Sequence, residues 1–217
     1  MPLGQPFPLV IAAPSGTGKT SLAHALVGAE RNAVFSVSAT TRRPRAGERD
    51  GVDYHFVSEA DFDRMIGEGE LVEWATVHGH RYGTPWSAVR DGLANGHTVV
   101  LDIDIQGARH VRAAFDEAVL VFILPPNADE LRRRLAGRNT EGEEDLRRRL
   151  SGALNELDAV AEFDYVVVND DFERALQSLE AIFHAERHAV PRVSDLTERV
   201  RVIKDRIRDI LAQEMHP

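Results

Sequence analysis

A short apolar run at residues 9–12 leads directly into a turn rich in small residues, and a stretch suited to an α-helix follows from Thr20 to Val27. The turn consists of Ala13, Pro14, Ser15, Gly16, Thr17, Gly18, Lys19 and Thr20. In a strand, turn and helix of this kind, consecutive backbone N–H groups point at one anion, and the helix dipole favours negative charge. The pattern therefore predicts a phosphate-binding loop of the P-loop type.

Two side chains of this loop are expected to contact the phosphates and the metal ion. Lys19 is expected to reach the β- and γ-phosphates of ATP, and the hydroxyl of Thr20 to take one position on Mg²⁺. We include the next residue, Ser21, in the predicted ATP site. Ala13 stands where the motif has its first glycine, which requires that this residue keep a negative φ. An ordinary glycine-rich turn is the alternative interpretation, whereas a dinucleotide-binding turn is disfavoured because no G-x-G-x-x-G follows a strand.

Three further apolar, β-branched runs, at residues 97–102, 118–124 and 164–168, are separated by helical patterns. Their hydrophobicity is continuous rather than alternating, which indicates strands buried on both faces of a parallel sheet. The predicted fold class is therefore α/β, with a P-loop NTPase-type parallel sheet flanked by helices.

The segment 38–95 has a different character and predicts a small inserted subdomain with a mixed sheet. Residues 52–57 alternate apolar and polar, as a half-solvated antiparallel strand would, and residues 71–75 predict a second such strand. Between them Ser58 is suited to cap a short helix that runs to about Ile66, where a pair of nearby glycines would end it.

Two other segments stand out by their pattern of polar and apolar residues. A polar stretch rich in arginine and glutamate predicts a mobile surface element, a lid over about residues 137–146. The tail, residues 188–217, predicts an amphipathic helix that either packs on its own domain or pairs subunits in a homodimer. Its apolar residues at helical spacing are Leu196, Val200, Ile203, Ile207, Ile210 and Leu211.

Length and composition bound the remaining possibilities. A chain of 217 residues with 43% hydrophobic content predicts one domain, with a core of residues 9–37 and 96–187. A net charge of −9 argues against nucleic acid as a partner. No apolar run approaches the roughly 20 residues of a membrane helix. The N-terminus lacks the pattern of a secretory signal and the chain has no cysteine, so a cytoplasmic protein is expected.

The insert carries the run SATTRRPRAGE at residues 38–48, followed by GVDYHF at residues 51–56. Three more motifs follow in order, EWA at residues 73–75, YGT at residues 82–84 and LDIDIQG at residues 101–107. Together they closely resemble the acceptor-binding signature of guanylate kinases, and the resemblance extends from about Leu9 to Arg187. It implies an enzyme that phosphorylates GMP with ATP, and leaves dGMP open as a second acceptor.

The resemblance also implies residue roles. The GMP phosphate would be held by Arg42, Arg45, Tyr54 and Tyr82, since arginine forks match phosphate oxygens and tyrosine hydroxyls add donors. Guanine would be bound by a carboxylate and two hydroxyls, those of Glu73, Ser38 and Thr84. Taken singly, Thr84 before Pro85 also fits a helix N-cap, and Glu73 an exposed strand residue.

Asp102 and Asp104 close a predicted buried strand, where a P-loop fold places an acidic residue near the metal. The resemblance places both near Mg²⁺ and the acceptor phosphate, with Asp102 as the predicted metal ligand. It further implies that Asn169 contacts the adenine of ATP. The predicted catalytic residues are Lys19, Arg42, Asp104 and the lid arginines Arg134, Arg138 and Arg149. Their neighbours Arg132, Arg133, Arg147 and Arg148 are interpreted as solvated charges on helix faces.

Two alternatives remain open beside the guanylate kinase interpretation. A guanylate kinase-like interaction module would have lost catalysis, and the intact Lys19 argues against it. A P-loop kinase for another phosphorylated acceptor is disfavoured by Glu73 with its two hydroxyl neighbours. In either kinase no general base is needed, because the attacking phosphate oxygen is already largely ionised near neutral pH, so catalysis rests on positioning and charge neutralisation.

Overall fold

The structure, a computed structural model, describes residues 4–77, 79–136 and 143–214. The strands are β1 (Pro8–Ala12), β2 (Ala33–Phe35), β3 (Ala39–Thr40), β4 (His55–Phe56), β5 (Leu71–Val77), β6 (His80–Pro85), β7 (Thr98–Asp102), β8 (Val119–Leu124) and β9 (Tyr165–Val168). The α-helices are α1 (Lys19–Ala29), α2 (Glu59–Gly67), α3 (Trp86–Ala94), α4 (Ile105–Ala114), α5 (Ala128–Ala136), α6 (Glu143–Leu157), α7 (Phe172–Arg187) and α8 (Leu196–Glu214). Short 3₁₀ helices lie at Asp158–Glu162 and Val190–Arg192.

The larger sheet has the strand order β2-β7-β1-β8-β9, and every neighbouring pair is parallel. Along the central strand β1, Leu9 and Ile11 belong to a core cluster that includes residues of α1 and α7. Val10 and Ala12 belong to a second cluster that includes residues of α3 and α4. Successive side chains of a strand point to opposite faces, so both faces of this sheet are covered by helices. The predicted α/β class is confirmed, and so is the burial of the strands predicted at residues 97–102 and 118–124. Burial on both faces is wrong for the run at residues 164–168, because it forms the edge strand β9, in which Val166 and Val168 are 48% and 47% exposed.

The smaller sheet has the order β4-β3-β6-β5 and forms from the segment predicted as an insert. The strand predicted at residues 71–75 is confirmed as β5, which pairs antiparallel with β6. The prediction for residues 52–57 is wrong, because only His55–Phe56 forms a strand, and it pairs parallel with β3. The residues before it form turns in which the N–H groups of Val52 and Asp53 bond to the carbonyl of Arg49. The alternating pattern there reflects a turn and not a strand.

Helix α2 begins and ends as the sequence predicts. The Ser58 side chain accepts a hydrogen bond from the backbone N–H of Asp61 at 3.1 Å, which satisfies one of the free donors at a helix N-terminus. The helix ends at Gly67, and Gly69 adopts a φ of 65°, a conformation that favours glycine.

The phosphate-binding loop connects β1 to α1, as predicted. Gly16 and Gly18 adopt φ values of 85° and 89°, in the left-handed region. A Cβ atom at Gly18 would also lie 2.8 Å from Nδ2 of Asn169. Glycine is therefore required at residue 18 for its conformation and for the space around it.

Helices α5 and α6 pack against each other through apolar side chains that include Leu135 and Ala153. The predicted lid falls between them. Residues 143–146 begin α6, whereas residues 137–142, and with them Arg138, lie outside the residues described.

The predicted amphipathic helix of the tail is confirmed as α8. Its apolar stripe is not buried on the domain, since Val200, Ile203 and Ile207 are 41%, 58% and 49% exposed. Packing of the stripe on its own domain is thus not observed, and pairing of two subunits stays a prediction. Among the described residues, no helix combines the length and the apolar character needed to cross a membrane.

Candidate active site

The loop after β1 and the carboxyl end of β7 face strands β5 and β6 of the small sheet across a cavity of about 200 Å³. Its lining residues are Lys19, Thr20, Ser38, Tyr54, Glu73, Ala75, Val77, Tyr82, Asp102, Ile103 and Asp104. The fold therefore brings together the predicted phosphate lysine, both strand-end aspartates and most of the predicted GMP-binding residues. In open parallel sheets, ligands bind at this carboxyl edge of the strands.

Lys19 is held at the end of β7. Its Nζ atom lies 2.5 Å from Oδ1 of Asp102, and it donates a hydrogen bond to the carbonyl oxygen of Ile103 at 2.7 Å. The Asp102 side chain is only 7% exposed, so this ion pair is largely removed from water. Charge attraction between the two is stronger there than at the surface, which fixes the ammonium group beside the loop.

The outer side of the phosphate loop is tied to α5 and to the end of β9. The carbonyl of Thr17 accepts hydrogen bonds from Nδ2 of Asn169 at 2.6 Å and from Nη1 of Arg134 at 3.3 Å. Arg134 also donates to the carbonyl of Asn169 and to the carboxylate of Glu130. Both predicted ATP contacts therefore lie beside the loop, where their donors bond to protein atoms and fix its course. Their roles toward ATP stay predictions.

A second cavity, of about 230 Å³, is lined by all eight loop residues from Ala13 to Thr20. Val77, Asp104 and Glu156 complete its wall. Asp104 is also the N-cap of α4, where its Oδ1 accepts the backbone N–H of Gly107 at 2.8 Å. Glu156 has no role in the sequence-based prediction, because a glutamate near the end of a charged helix is normally a solvated residue.

Arg42, a cation of the predicted GMP phosphate site, is held by several side-chain contacts. Its guanidinium forms two hydrogen bonds with the Glu48 carboxylate, at 2.8 and 3.0 Å, and its Nε donates to the hydroxyl of Tyr82 at 3.2 Å. The guanidinium carbon also lies 5.3 Å from the centre of the Tyr54 ring. Fork-to-fork pairing fixes the plane of an arginine, so Glu48 fixes the orientation of the Arg42 guanidinium. Sequence reasoning missed this role of Glu48, whose only signal was one acid within an arginine-rich run.

The tyrosines of this cluster pack edge to face, with the ring centres of Tyr54 and Tyr82 5.8 Å apart. Burial raises the pKa of Tyr54 to about 12, and the nearby Asp102 carboxylate adds to the rise. The Tyr54 hydroxyl therefore remains protonated near neutral pH and can donate a hydrogen bond to an anion.

A larger cavity of about 980 Å³ joins this cluster to the phosphate loop. It is lined on one side by Ser15, Thr20, Ser21 and Asp102 and on the other by Ser38, Arg42, Arg45, Tyr54 and Tyr82. Helix α6 contributes Arg148 and Arg149. Arg148 is exposed on α6, as expected for a solvated charge, and it also lines this cavity beside Arg149. Sequence alone could not choose between these adjacent arginines, because the direction of each depends on how α6 packs.

Glu73 is a buried carboxylate in the small sheet, 6% exposed. The interpretation of Glu73 as an exposed strand residue is thus wrong. Its Oε1 accepts a hydrogen bond from the hydroxyl of Thr84 at 2.6 Å, across the register that pairs the two residues on β5 and β6. Thr84 does not cap a helix, because α3 begins at Trp86 with Pro85 as its N-cap. The carboxylate and one predicted hydroxyl partner are therefore in contact.

The surroundings of Glu73 change its ionisation. Burial raises its pKa to about 7, because the charged form loses water, and the Asp104 carboxylate raises it further. The hydrogen bond from Thr84 and the charge of Lys19 act in the opposite direction. A carboxyl group with this pKa is half protonated near neutral pH and gains from any ligand that offers it N–H donors.

Gly107 is needed for the Glu73 carboxylate to fit. A Cβ atom at this position would lie 2.9 Å from Oε2 of Glu73 and 3.2 Å from Cβ of Ile103. The first turn of α4 thus approaches the carboxylate as closely as a backbone without a side chain allows. Sequence reasoning placed Gly107 within a motif but could not detect this contact.

The sequence model of guanylate kinases matches residues 5–186. A guanylate kinase of Myxococcus xanthus is 51% identical over 180 residues, covering 82% of this chain and 86% of the relative. One of Caldanaerobacter subterraneus is 48% identical over 193 residues, covering 89% and 94%. The crystal structure of guanylate kinase from Anaplasma phagocytophilum superposes with a TM-score of 0.78 at 36% identity, covering 92% of this chain and 96% of that one. The chain therefore belongs to the guanylate kinase family.

Proposed function

We propose that this protein transfers the γ-phosphoryl group of ATP to the phosphate of GMP, giving ADP and GDP. The observation that carries this proposal is that Lys19 of the phosphate loop and the buried carboxylate of Glu73 line one cavity. A phosphate donor and a hydrogen-bonding base would thus meet in one space. Family membership supports the same reaction.

The base pocket favours guanine for a chemical reason. Guanine offers N–H donors at N1 and N2 along one edge, and a carboxylate is the acceptor that matches both. Glu73 provides that acceptor, while Ser38 and Thr84 provide hydroxyl groups near it. Adenine carries an acceptor at N1, so its lone pair would face the oxygens of the ionised Glu73 carboxylate without a proton between them.

The acceptor phosphate would lie between Arg42, Arg45, Tyr54 and Tyr82, which line the larger cavity. Four of the five N–H donors of Arg42 bond to Glu48, Tyr82 and the Arg43 carbonyl, so Arg42 can keep its pairing with Glu48 and offer one Nη2 N–H to an anion, with the two tyrosine hydroxyls as neutral donors. This arrangement would place the GMP phosphate between the base pocket and the phosphate loop.

The residues beside the loop fit a magnesium ion. The hydroxyl of Thr20 and the carboxylate of Asp102 line the same two cavities, and oxygen atoms of this kind are the ligands that Mg²⁺ prefers. Within the described residues no three His, Asp or Glu side chains gather as a metal cluster. Such an ion would therefore take most of its ligands from nucleotide phosphates and water. When bound, Mg²⁺ would bridge the phosphates and neutralise part of their charge.

Charge neutralisation and alignment would account for catalysis. The attacking oxygen of GMP is already ionised, so no residue has to remove a proton from it. Lys19 would neutralise charge on the transferring phosphoryl group, and Arg149 of α6 lines the larger cavity, which Thr20 and Asp102 also line. Arg138 would add a third cation from the predicted lid. Fixed cations of this kind stabilise charge that spreads over the phosphoryl oxygens in the transition state.

A coupled assay that follows ADP production tests the proposal. ATP and Mg²⁺ are supplied with GMP, dGMP, AMP, CMP and UMP in turn, and turnover is expected with GMP far above AMP, CMP and UMP. Turnover of none of them would favour an interaction module, and a preference for another nucleotide would reassign the acceptor. The dGMP sample decides whether the 2′-hydroxyl is required.

A further inference from the structure

Glu156 places a carboxylate inside the phosphate loop. It is the penultimate residue of α6 and is half-buried. It lines the same cavity as all eight residues of the loop, and the nearby backbone N–H of Ser15 acts to lower the pKa of its carboxyl group. The backbone N–H groups of such a loop are the donors that bind phosphate oxygens.

The position of this carboxylate is fixed by packing. Helix α6 is held against α5 by an apolar cluster that contains Leu131, Leu135 and Ala153. Leu135 in turn contacts the loop, because its Cδ2 atom lies 3.0 Å from where a Cβ of Gly16 would be. The helix that carries Glu156 is thus braced on the loop that Glu156 contacts.

The charges around the loop make this carboxylate unfavourable for a phosphate. Burial and the carboxylate of Asp104 raise the pKa of Glu156, whereas Lys19 and the Ser15 N–H lower it. Lys19 is already paired with Asp102 at 2.5 Å. A nucleotide phosphate that enters the loop would therefore meet the carboxylate of Glu156 in addition to those of Asp102 and Asp104. Lys19 is the one lysine of the loop that opposes their charge.

We propose that Glu156 competes with nucleotide phosphate for the loop, so that it weakens nucleotide binding and speeds product release. The carboxylate lies in the loop cavity beside the Ser15 N–H in this structure, so a phosphate that enters the loop has to displace it or accept its repulsion. Release of ADP is the reverse exchange, in which Glu156 replaces the departing phosphate. This inference rests on the proposed function, because it assumes that the loop binds nucleotide phosphates.

Glu156→Gln is the sharpest test. The amide has the same length and keeps an oxygen acceptor beside the Ser15 N–H, so only the charge is removed. One charge about 5 Å from a phosphate, in surroundings close to water in dielectric constant, changes affinity by about five- to tenfold. We therefore expect the variant to bind ADP about five- to tenfold more tightly by isothermal titration calorimetry. Stopped-flow displacement of a fluorescent ADP analogue is expected to show correspondingly slower dissociation.

Asp158→Asn is the matched control, since it removes the same charge two residues further along at an exposed position. Its affinity for ADP is expected to stay within twofold of the wild type. Glu156→Ala removes the charge and the acceptor together and is also expected to bind ADP more tightly. Circular dichroism of each variant establishes that the fold is kept.

Two results would overturn the inference. If Glu156→Gln binds ADP as the wild type does while Glu156→Ala binds it more weakly, the carboxylate supports the loop and does not compete with phosphate. If the wild type binds no ADP, the phosphate loop itself is wrongly assigned. The proposed function fails separately, when ADP binding changes as expected but the wild type does not phosphorylate GMP.

Discussion

Replacing Glu73 with glutamine should make the protein more stable and less selective at the same time. The substitution keeps the shape of the side chain and removes a charge that is 6% exposed. The hydroxyl of Thr84, which donates to Glu73 at 2.6 Å, can donate to the amide oxygen in the same way. The two consequences have separate physical origins, one in burial and the other in the match to guanine.

The stability effect follows from the raised pKa of Glu73. Its pKa is about 7 in the folded protein against 4.5 for an unperturbed glutamate. Between these values the folded state keeps a proton that the unfolded state has lost, so the wild type loses stability as pH rises through this window. The full loss is about 3 kcal/mol, since each pKa unit is worth about 1.4 kcal/mol. Glutamine does not titrate. The difference in unfolding free energy in favour of the variant should therefore increase by about 2 to 3 kcal/mol from pH 5 to pH 8.

Whereas the substitution should increase stability, it should decrease the selectivity for GMP. The glutamine can turn its N–H toward an acceptor, so it loses one bond to guanine and no longer repels adenine. The ratio of kcat/KM for GMP to that for AMP is expected to fall at least about tenfold, or about 1.4 kcal/mol. In the wild type, GMP binding should weaken as pH falls below about 7, because the Glu73 proton must then be removed before guanine can donate.

Urea unfolding of both proteins at pH 5 and pH 8 measures the first effect, and initial rates with GMP and AMP measure the second. The two proteins differ at one titrating group, so the pH dependence of other residues cancels in the difference. If the difference in unfolding free energy between the two proteins does not change with pH, the pKa of Glu73 is not raised in the folded protein. An unchanged ratio of GMP to AMP would mean that Glu73 does not contact the base.

Three further substitutions test other contacts. Lys19→Ala is expected to keep the fold, by circular dichroism, and to remove nearly all phosphoryl transfer, because its charge is needed most as the γ-phosphate departs; wild-type activity would refute this. Glu48→Gln, which loosens the half-buried pair of Arg42 with Glu48, should raise the KM for GMP about tenfold and leave the KM for ATP unchanged; equal changes in both would indicate a general loss of structure. Gly107→Ala places a methyl group 2.9 Å from the Glu73 carboxylate and should raise the KM for GMP, whereas Gly152→Ala, with no atom within 4 Å, should not; equal effects would exclude the contact.

Much of the large sheet could be predicted from the chain, because buried parallel strands leave a strong local pattern. The run at residues 118–124 is apolar at every position, and β8 is buried along nearly its whole length. The two-residue strands of the small sheet leave no such pattern. Residues 52–54 alternate in polarity, yet they belong to a turn that begins at Gly51, whose φ is 71°. Short strands and turns depend on contacts with distant segments, which a local pattern does not contain.

The residues of the site could be predicted from the sequence better than their arrangement in space. The motif around Glu73 marks it as important, but its burial follows from the pairing of β5 with β6 and the approach of α4. Glu156 had no signal at all, because its contact with Ser15 joins segments about 140 residues apart. Arg138 lies outside the described residues, so its role stays a prediction from resemblance.

The segment from Asp102 to Gly107 touches both halves of the site within six residues. Its first two residues hold the lysine of the phosphate loop, and its last residue leaves room for the carboxylate of the base pocket. A shift of this segment would therefore disturb donor and acceptor together. Mutations that change the acceptor base during evolution are therefore expected on β5 and β6, where side chains can vary without moving Lys19. Engineering of the acceptor choice should begin on those two strands and leave the hexapeptide intact.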